Sequence, residues 1–225
     1  MFRAFSQNRF FNHFLDLVIV IVGITIAFQL EKYDNQRHED AIHSILVEGL
    51  LTEITRNLDS FETVIPIQET NLENTRQLRA IYRESHLLDG HDIADKILEH
   101  IIAMNAVIYP DLQTAQLDNY LASTLASTGV YKPKLLKLKA LLDIYKGTRD
   151  LHYKLRIDNT FALIGRSVDL SDKKVVQPEN LVSTEFKNHI LFLYGIEREL
   201  TKLHTDVIEE LRAAKFETEM LRAKL

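Results

Sequence analysis

The chain of 225 residues contains 46% hydrophobic and 26% charged residues, has a net charge of −5, and lacks cysteine. This composition can fill a core, which excludes intrinsic disorder, and its acidic balance argues against a general nucleic-acid-binding protein. Without cysteine there can be no disulfide, no thiolate catalysis and no cysteine-based zinc site. Only seven Gly and four Pro occur, and this scarcity of turn residues favours a few long helices.

The first predicted element is an apolar helix over residues 10–30, FFNHFLDLVIVIVGITIAFQL. A membrane-spanning helix needs about 20 residues at a rise of about 1.5 Å per residue, and this segment meets that length. We therefore expect a single transmembrane anchor. A cleaved signal peptide is the alternative interpretation, because Arg3 and Arg9 form a positive n-region and the tripeptide ending at Ala27 resembles a cleavage site.

The orientation of this anchor is predicted from the charges around it. The tail of residues 1–9 contains two arginines and no acid, whereas acids crowd the other end of the apolar segment. Because cytoplasmic flanks are enriched in Lys and Arg, the short tail is expected in the cytoplasm. Residues 31–225 then form a separate domain on the periplasmic side of a bacterial inner membrane.

One face of the predicted anchor carries an acid and two small residues. Asp16, Val20, Gly23 and Ala27 follow one another at spacings of four, three and four, so they share a helix face. Gly23 and Ala27 form the small-xxx-small pattern that lets two transmembrane helices approach closely. The face predicts contact with another membrane protein or a second copy. Alternatively, Asp16 lies at the headgroup boundary and needs no partner.

The segment from Asp16 to Asp34, DLVIVIVGITIAFQLEKYD, resembles the N-terminus of an uncharacterised family of bacterial single-pass membrane proteins. In that family an acidic residue precedes an apolar run with Gly-Ile-x-Ile-Ala, and a Gln and an aromatic residue open a long charged helix. Here Asp16 stands where Glu is usual, and Tyr33 stands where Trp is typical. Residues 114–147 are also similar to the family's middle region. The resemblance implies a membrane-anchored helical domain and no known activity.

Beyond the anchor, apolar residues recur in steps of three and four from Ile42 to Ile65, which predicts that the helix continues to Pro66. Pro66 is expected to kink or end it, because proline lacks the N–H and clashes with the preceding turn. A further helical pattern reaches about Glu84. The segment around Gly90 is predicted as a turn, followed by a short helix that ends near Met104.

The middle of the chain predicts two more helices. Asp111 is expected to cap the first of them, which contains the repeat LAST-LAST at 121–128 and stops at Gly129. The second begins with Pro133 in its first turn and is expected to reach Gly165. Residues 166–180 have weak periodicity and are predicted to form the longest loop.

The last predicted helix spans roughly residues 183–224, with an apolar residue at every seventh position and others between. This seam predicts burial against the helix that follows the anchor, within an intramolecular bundle; an intermolecular coiled coil is the alternative. The seam consists of Phe186, Leu193, Leu200, Leu203, Val207 and Leu211, with Ile196, Ala214 and Leu221 in supporting positions.

No motif for phosphate binding, nucleophilic catalysis or a cofactor occurs in the sequence. The segment HEDAIH (38–43) has one residue too many for the HExxH zinc motif, and Asp40-x-x-His43 stands alone. His91, Asp95 and Glu99 share a helix face, but the segment supplies no fourth ligand. No metal, cofactor or catalytic residue is therefore predicted, and the protein is not expected to be an enzyme.

Together these patterns predict an all-α protein with one N-terminal transmembrane helix that continues into an extracytoplasmic antiparallel helical bundle. The leading hypothesis is a membrane-anchored structural or accessory protein that contacts lipid, other membrane proteins or itself, and not nucleic acid. The second is a ligand-binding sensor that signals through a partner. A buried polar cluster in the bundle would favour the sensor, and a uniformly apolar core would favour the accessory protein.

Overall fold

The computed structural model describes the backbone of residues 4–84, 90–103, 107–123 and 131–224. Side chains are described for residues 18–84, 93–103, 107–123 and 131–224. The fold is all-α, as predicted. Its elements are α1 (Ala4–Glu84), α2 (Gly90–Ala103), α3 (Ala115–Ala122), α4 (Lys132–Lys154), a π-helical turn (Leu155–Thr160), α5 (Phe161–Ser167), β1 (Val168–Asp169), β2 (Lys174–Val175), α6 (Pro178–Leu181) and α7 (Thr184–Arg222).

Helix α1 passes through Pro66 and ends only at Glu84, so of the two outcomes expected at the proline, a kink or an end, the end is wrong. Proline has no N–H, so Pro66 leaves the Glu62 carbonyl without its helical hydrogen bond. Both residues are exposed, and water can therefore satisfy that carbonyl. Val64 and Gln68 are buried on either side of the proline. Packing on both sides therefore holds the two parts of the helix in one continuous element.

The described segments form an antiparallel bundle around the second half of α1. Helix α7 runs against α1, as the ion pairs Glu48–Arg222 and Glu62–Arg212 show. Helix α4 also runs against α7, with Lys134 beside Glu217. Helix α2, residues 107–114 and α3 return along α1 in the opposite direction. The described segments therefore cross the bundle four times, and the predicted pairing of the first and last helices is confirmed.

Helix α3 is capped from a neighbouring helix. The buried carboxylate of Glu53 on α1 accepts hydrogen bonds from the backbone N–H groups of Gln116 (2.8 Å) and Leu117 (2.9 Å). Asp111, which the sequence predicted as the cap, instead pairs with Arg56 at 2.8 Å. The prediction failed because a helix N-terminus accepts any suitably placed carboxylate, and sequence proximity does not reveal one from another helix.

The predicted loop 166–180 is largely structured. A two-stranded hairpin pairs Val168 with Val175, and α6 follows it. The turn is held by Asp169, whose carboxylate oxygen accepts from the Ser171 backbone N–H (3.0 Å) and hydroxyl (2.6 Å). Short strands with strong turn chemistry carry little periodicity, which explains the missed hairpin. The repeat at 121–128 and Gly129 lie mostly outside the described residues.

The core consists of two apolar clusters at different levels of the bundle. The proximal cluster, nearer the N-terminal part of α1, contains Val47, Leu50, Ile54, Leu58, Phe61, Leu117, Tyr120, Leu135, Leu138, Leu142, Tyr145, Leu200, Leu203, Val207, Ile208, Leu211 and Ala214. The distal cluster contains Leu78, Ile93, Ala94, Ile97, Ile101, Ile164, Val168, Leu181, Phe186, Ile190 and Leu193. Each fully buried aliphatic or aromatic side chain contributes roughly 1.5–3 kcal/mol.

The first half of α1 extends beyond the bundle. Nearly every side chain from Val18 to Ile45 is exposed, and the core begins at Val47. Among the residues whose side chains are described, no helix is long and apolar enough to cross a membrane. The predicted anchor, 10–30, lies partly outside that set, because side chains are described only from Val18 onward.

Candidate functional site

A polar layer separates the two apolar clusters. On α1 it lies between Val64 and Leu78, and on α7 it lies between Leu193 and Leu200. All its members are nearly or completely buried. We define the polar layer as Gln68, Asn71, Thr75, His152, Arg156, Thr160 and Glu197.

At the centre of the polar layer, three of its side chains and the neighbouring Tyr109 form a chain of contacts. Tyr109 Oη lies 2.7 Å from His152 Nδ1, and His152 Nε2 lies 3.3 Å from Glu197 Oε1. Arg156 Nη1 lies 3.7 Å from the same carboxylate oxygen. These distances fit one hydrogen bond between the tyrosine hydroxyl and the imidazole and a second between the imidazole and Glu197. The glutamate thus orients the histidine and balances the charge of the arginine.

Arg156 is the largest buried polar group in this layer, with a relative exposure of only 1%. Its Nε, Nη1 and Nη2 atoms find no hydrogen-bond partner among the described groups, and neither does Glu197 Oε2. Burial lowers the pKa of the Arg156 guanidinium, and the charge of Glu197 opposes that shift. A buried guanidinium with unpaired donors is costly for stability. Groups of this kind are the expected binding points for ordered water or a bound molecule.

Asn71 and Gln68 add further polar atoms from α1. The Asn71 Nδ2 and Oδ1 atoms and Gln68 Oε1 are buried without a partner among the described groups. Gln68 Nε2, in contrast, donates to the Ile108 carbonyl at 2.8 Å. The layer therefore gathers polar side chains from α1, from α4 and the π-helical turn, and from α7. Its composition differs sharply from the apolar clusters on either side.

The π-helical turn Leu155–Thr160 connects this layer to the surface. Arg156 and Thr160 on its inner side are buried, whereas Asp158 and Asn159 are exposed. The Thr160 hydroxyl lies 2.6 Å from His189 Nε2 on α7. Single π-helical turns are often found at functional sites, because the extra residue redirects side chains that a regular helix would place elsewhere.

A surface groove of about 480 Å³ lies over the outer side of this turn. We call it the π-groove; its lining consists of Asp158, Asn159, Ala162, Leu163, Arg166, Glu185, Asn188, His189 and Phe192. Its three charged side chains form no ion pair within the described part of the protein. His189 is half-buried; its burial lowers the pKa of the imidazole, and the nearby Glu185 opposes that shift. The groove therefore offers unpaired charges of both signs around one imidazole.

The predicted transmembrane contact face is only partly described. Asp16 lies outside the residues with described side chains. Val20 is 55% exposed, Ala27 is exposed, and no described atom lies within 4 Å of the position that a Cβ on Gly23 would occupy. No described part of this chain therefore covers the face.

The predicted α7 seam lies entirely in the core. Phe186 and Leu193 belong to the distal cluster, and Leu200, Leu203, Val207 and Leu211 belong to the proximal cluster. The interior face of α7 also includes a second set of positions, again seven residues apart: Ile190, Glu197, His204, Leu211 and Thr218. Sequence reasoning followed the first set and missed Glu197. A search for polar residues in both sets would have found it, because α7 alternates steps of three and four.

The structure describes most, but not all, of the side chains weighed in the sequence as metal ligands. His38 and Asp40 are exposed on α1, as are Asp95 and Glu99 on α2. The side chain of His91 lies outside the described residues. Within the described set, no group of three His, Cys, Asp or Glu residues could hold a metal ion.

Comparisons with known proteins do not identify the chain. No family model, curated protein or solved structure matches it. Its function must therefore be argued from the exposed segment of α1, the polar layer and the π-groove.

Proposed function

We propose that this protein is a non-catalytic, membrane-anchored interaction protein, a subunit of a larger membrane complex or a homo-oligomer. The observation that carries the proposal is the exposed apolar surface of α1 from Val18 to Leu30. Ile19, Phe28 and Leu30 are each about two-thirds exposed, at 64%, 66% and 64%. Apolar surface on all sides of a helix is unfavourable in water and favourable in lipid.

The sequence before Val18 supports the same proposal. Residues 10–30 together have the length that a bilayer requires, and the basic tail before them suits the cytoplasmic side. Charged residues from Glu31 onward form an exposed part of α1 that ends where the core begins at Val47. At about 1.5 Å per residue, this part would hold the bundle roughly 24 Å from the membrane, on the periplasmic side.

The partner contact is proposed at the face formed by Asp16, Val20, Gly23 and Ala27. Gly23 has open space around its Cβ position, so a second helix can approach its backbone closely. A helix in that position would also bring hydrogen-bonding groups near Asp16, which would otherwise be costly inside lipid. The partner is another single-pass or multi-pass membrane protein, or a second copy of this chain.

The test is a mild-detergent purification of the intact protein from membranes, with the mass of the complex measured. We expect Gly23→Leu to reduce the mass to that of the single chain, because a larger side chain keeps the partner helix away. Val22→Leu, on another face of the helix, is the matched control and should leave the mass unchanged. An unchanged mass in Gly23→Leu would refute the contact, and extraction of the wild type by alkaline carbonate would refute the anchor.

A second candidate function is a ligand-binding sensor that signals through its membrane partner. The buried polar layer favours it, since a purely structural bundle gains more stability from an apolar core. The π-helical turn joins that layer to an open groove. This second function would use the same anchor and partner contact, so the two functions are compatible.

A further inference from the structure

We propose that the π-groove binds a small zwitterion of the dipeptide class. The ligand's carboxylate pairs with Arg166, its ammonium group pairs with Asp158, and its apolar part lies against Leu163 and Phe192. This inference goes beyond the anchor-based function and supplies a ligand class for the sensor. Neither the anchor nor the partner contact is needed for it.

The charges in the groove carry the first step of the argument. Asp158, Glu185 and Arg166 line one groove and form no ion pair with any described residue. With neutral His189, the groove has one cation and two carboxylates. A simple anion would meet a net negative charge, and a simple cation would leave Arg166 unused. A ligand that carries both charges satisfies Arg166 and Asp158 at once.

The spacing of these charges sets the length of the ligand. Because Thr160 faces His189 on the antiparallel α7, Asp158 lies toward Phe192 and Arg166 lies toward Glu185. Asp158 and Arg166 are eight residues apart, about 12 Å along a helix axis. The ends of an extended dipeptide are roughly 7 Å apart, and the long arginine side chain can close the remainder. A single amino acid is too short to reach both.

The remaining lining groups fit a peptide backbone and an apolar side chain. Asn159 and Asn188 present amides that can donate to and accept from a peptide bond. Phe192 is 69% exposed, and it lies at the end of the groove that holds Asp158. An apolar side chain on the N-terminal residue of the dipeptide would cover this ring, which also attracts the adjacent ammonium group.

His189 at the groove connects the ligand to the polar layer. Its Nε2 contacts the buried hydroxyl of Thr160, in the same π-helical turn as Arg156. A ligand that orders His189 therefore also acts on the turn that positions Arg156 beside Glu197. This connection offers a physical route from the groove into the bundle interior.

The experiment is calorimetric titration of the full-length protein in mild detergent with leucyl-alanine. We expect saturable binding, and we expect binding to weaken about ten-fold when the ligand is N-acetylated or C-terminally amidated, since each change removes one charge-assisted hydrogen bond. The same addition should shift the His189 ring resonances in NMR spectra. No binding at millimolar dipeptide, or equal binding of the capped forms, would overturn the proposal.

Variants assign each end of the ligand. Arg166→Gln should weaken the binding of leucyl-alanine about ten-fold and leave the binding of its C-terminal amide unchanged. Asp158→Asn should likewise weaken the binding of leucyl-alanine and leave the binding of its N-acetylated form unchanged. Arg198→Gln and Asp172→Asn change exposed residues outside the groove and should have no effect. Glu185→Gln should strengthen binding, because its carboxylate repels that of the ligand. Weaker binding of leucyl-alanine by either control variant would contradict the proposed site. Membrane association should be the same in all the variants.

Discussion

The polar layer and the proximal cluster are built largely from the same helices, but they have opposite effects on stability. In the proximal cluster, α1, α4 and α7 contribute mainly aliphatic and aromatic side chains that need only shape complementarity. About one to three turns away, α1, the π-helical turn that continues α4, and α7 place Asn71, Arg156 and Glu197 in the interior. These groups must find partners or remain costly. The proximal cluster therefore supplies stability, and the layer is where the bundle gives up stability.

The largest effect should come from opening a cavity in the proximal cluster. Phe61 is fully buried, and its ring contacts those of Tyr145 and His204 at centroid distances of 4.8 and 4.9 Å. We expect Phe61→Ala to lower the free energy of unfolding by about 4 kcal/mol. Urea unfolding in mild detergent, followed by circular dichroism, would measure it. Phe216→Ala, at an exposed site on α7, is the matched control and should change it little.

A somewhat smaller loss is expected from removing the negative charge of the polar layer. Glu197→Gln would leave the buried Arg156 without its counter-charge, at a cost of about 3 kcal/mol in the same unfolding measurement. Glu199→Gln, two residues away and exposed, should have almost no effect. The double variant Arg156→Met with Glu197→Leu should recover most of the loss. If the double variant is as unstable as the single one, the layer does not cost the bundle stability.

The pH dependence of stability should reveal His204, a fully buried histidine that packs against the rings of Phe61 and Tyr145 in the proximal cluster. Burial lowers the pKa of His204 to about 4, well below its value near 6.5 in the unfolded chain. Below that higher value the unfolded state binds a proton that the folded state does not, so acid favours unfolding. His204 should therefore contribute a loss of about 2 kcal/mol between pH 7 and pH 5. In His204→Gln this part of the pH dependence should disappear, whereas an unchanged profile would contradict the assignment.

The smallest effect is expected at Asn71, where a substitution should stabilise the protein. Asn71 is buried with neither side-chain amide atom paired among the described groups. Asn71→Leu should raise the free energy of unfolding by about 1 kcal/mol, because it removes an unsatisfied polar group of similar size. Asn74→Leu is the matched control. Because Asn74 donates to the Ala103 carbonyl at 3.3 Å, its replacement should destabilise the protein. Destabilisation by Asn71→Leu would show that this amide is satisfied in solution.

Much of the helical framework could be predicted from the sequence. The seven-residue spacing along α7 placed the helix at 183–224, close to its observed bounds of Thr184–Arg222. The steps of three and four after Ile42 predicted an amphipathic α1 against which α7 packs. Such predictions succeed because burial along one helix face imposes a period that many residues repeat. Continuation through Pro66 could not be predicted, because it depends on packing from other segments.

The candidate site could not be predicted in the same way. A single glutamate or arginine within an apolar pattern resembles a surface residue, and Glu197 and Arg156 show their burial only once α4 and α7 lie side by side. The π-helical turn has no sequence period of its own. The groove residues come from two segments nearly thirty positions apart, and only the antiparallel packing brings Asp158 near Phe192.

The extensive contact between α1 and α7 has a consequence for synthesis. Helix α1 ends at Glu84 and its main partner begins at Thr184, so about one hundred residues must be made between them. At ribosomal rates this takes roughly 5–20 s, and α7 itself must then emerge. Throughout that interval the apolar stripe of α1 has no α7 to cover it. The nascent chain should therefore depend on chaperones or on rapid delivery to its destination, and truncation anywhere in α7 should yield aggregation-prone fragments.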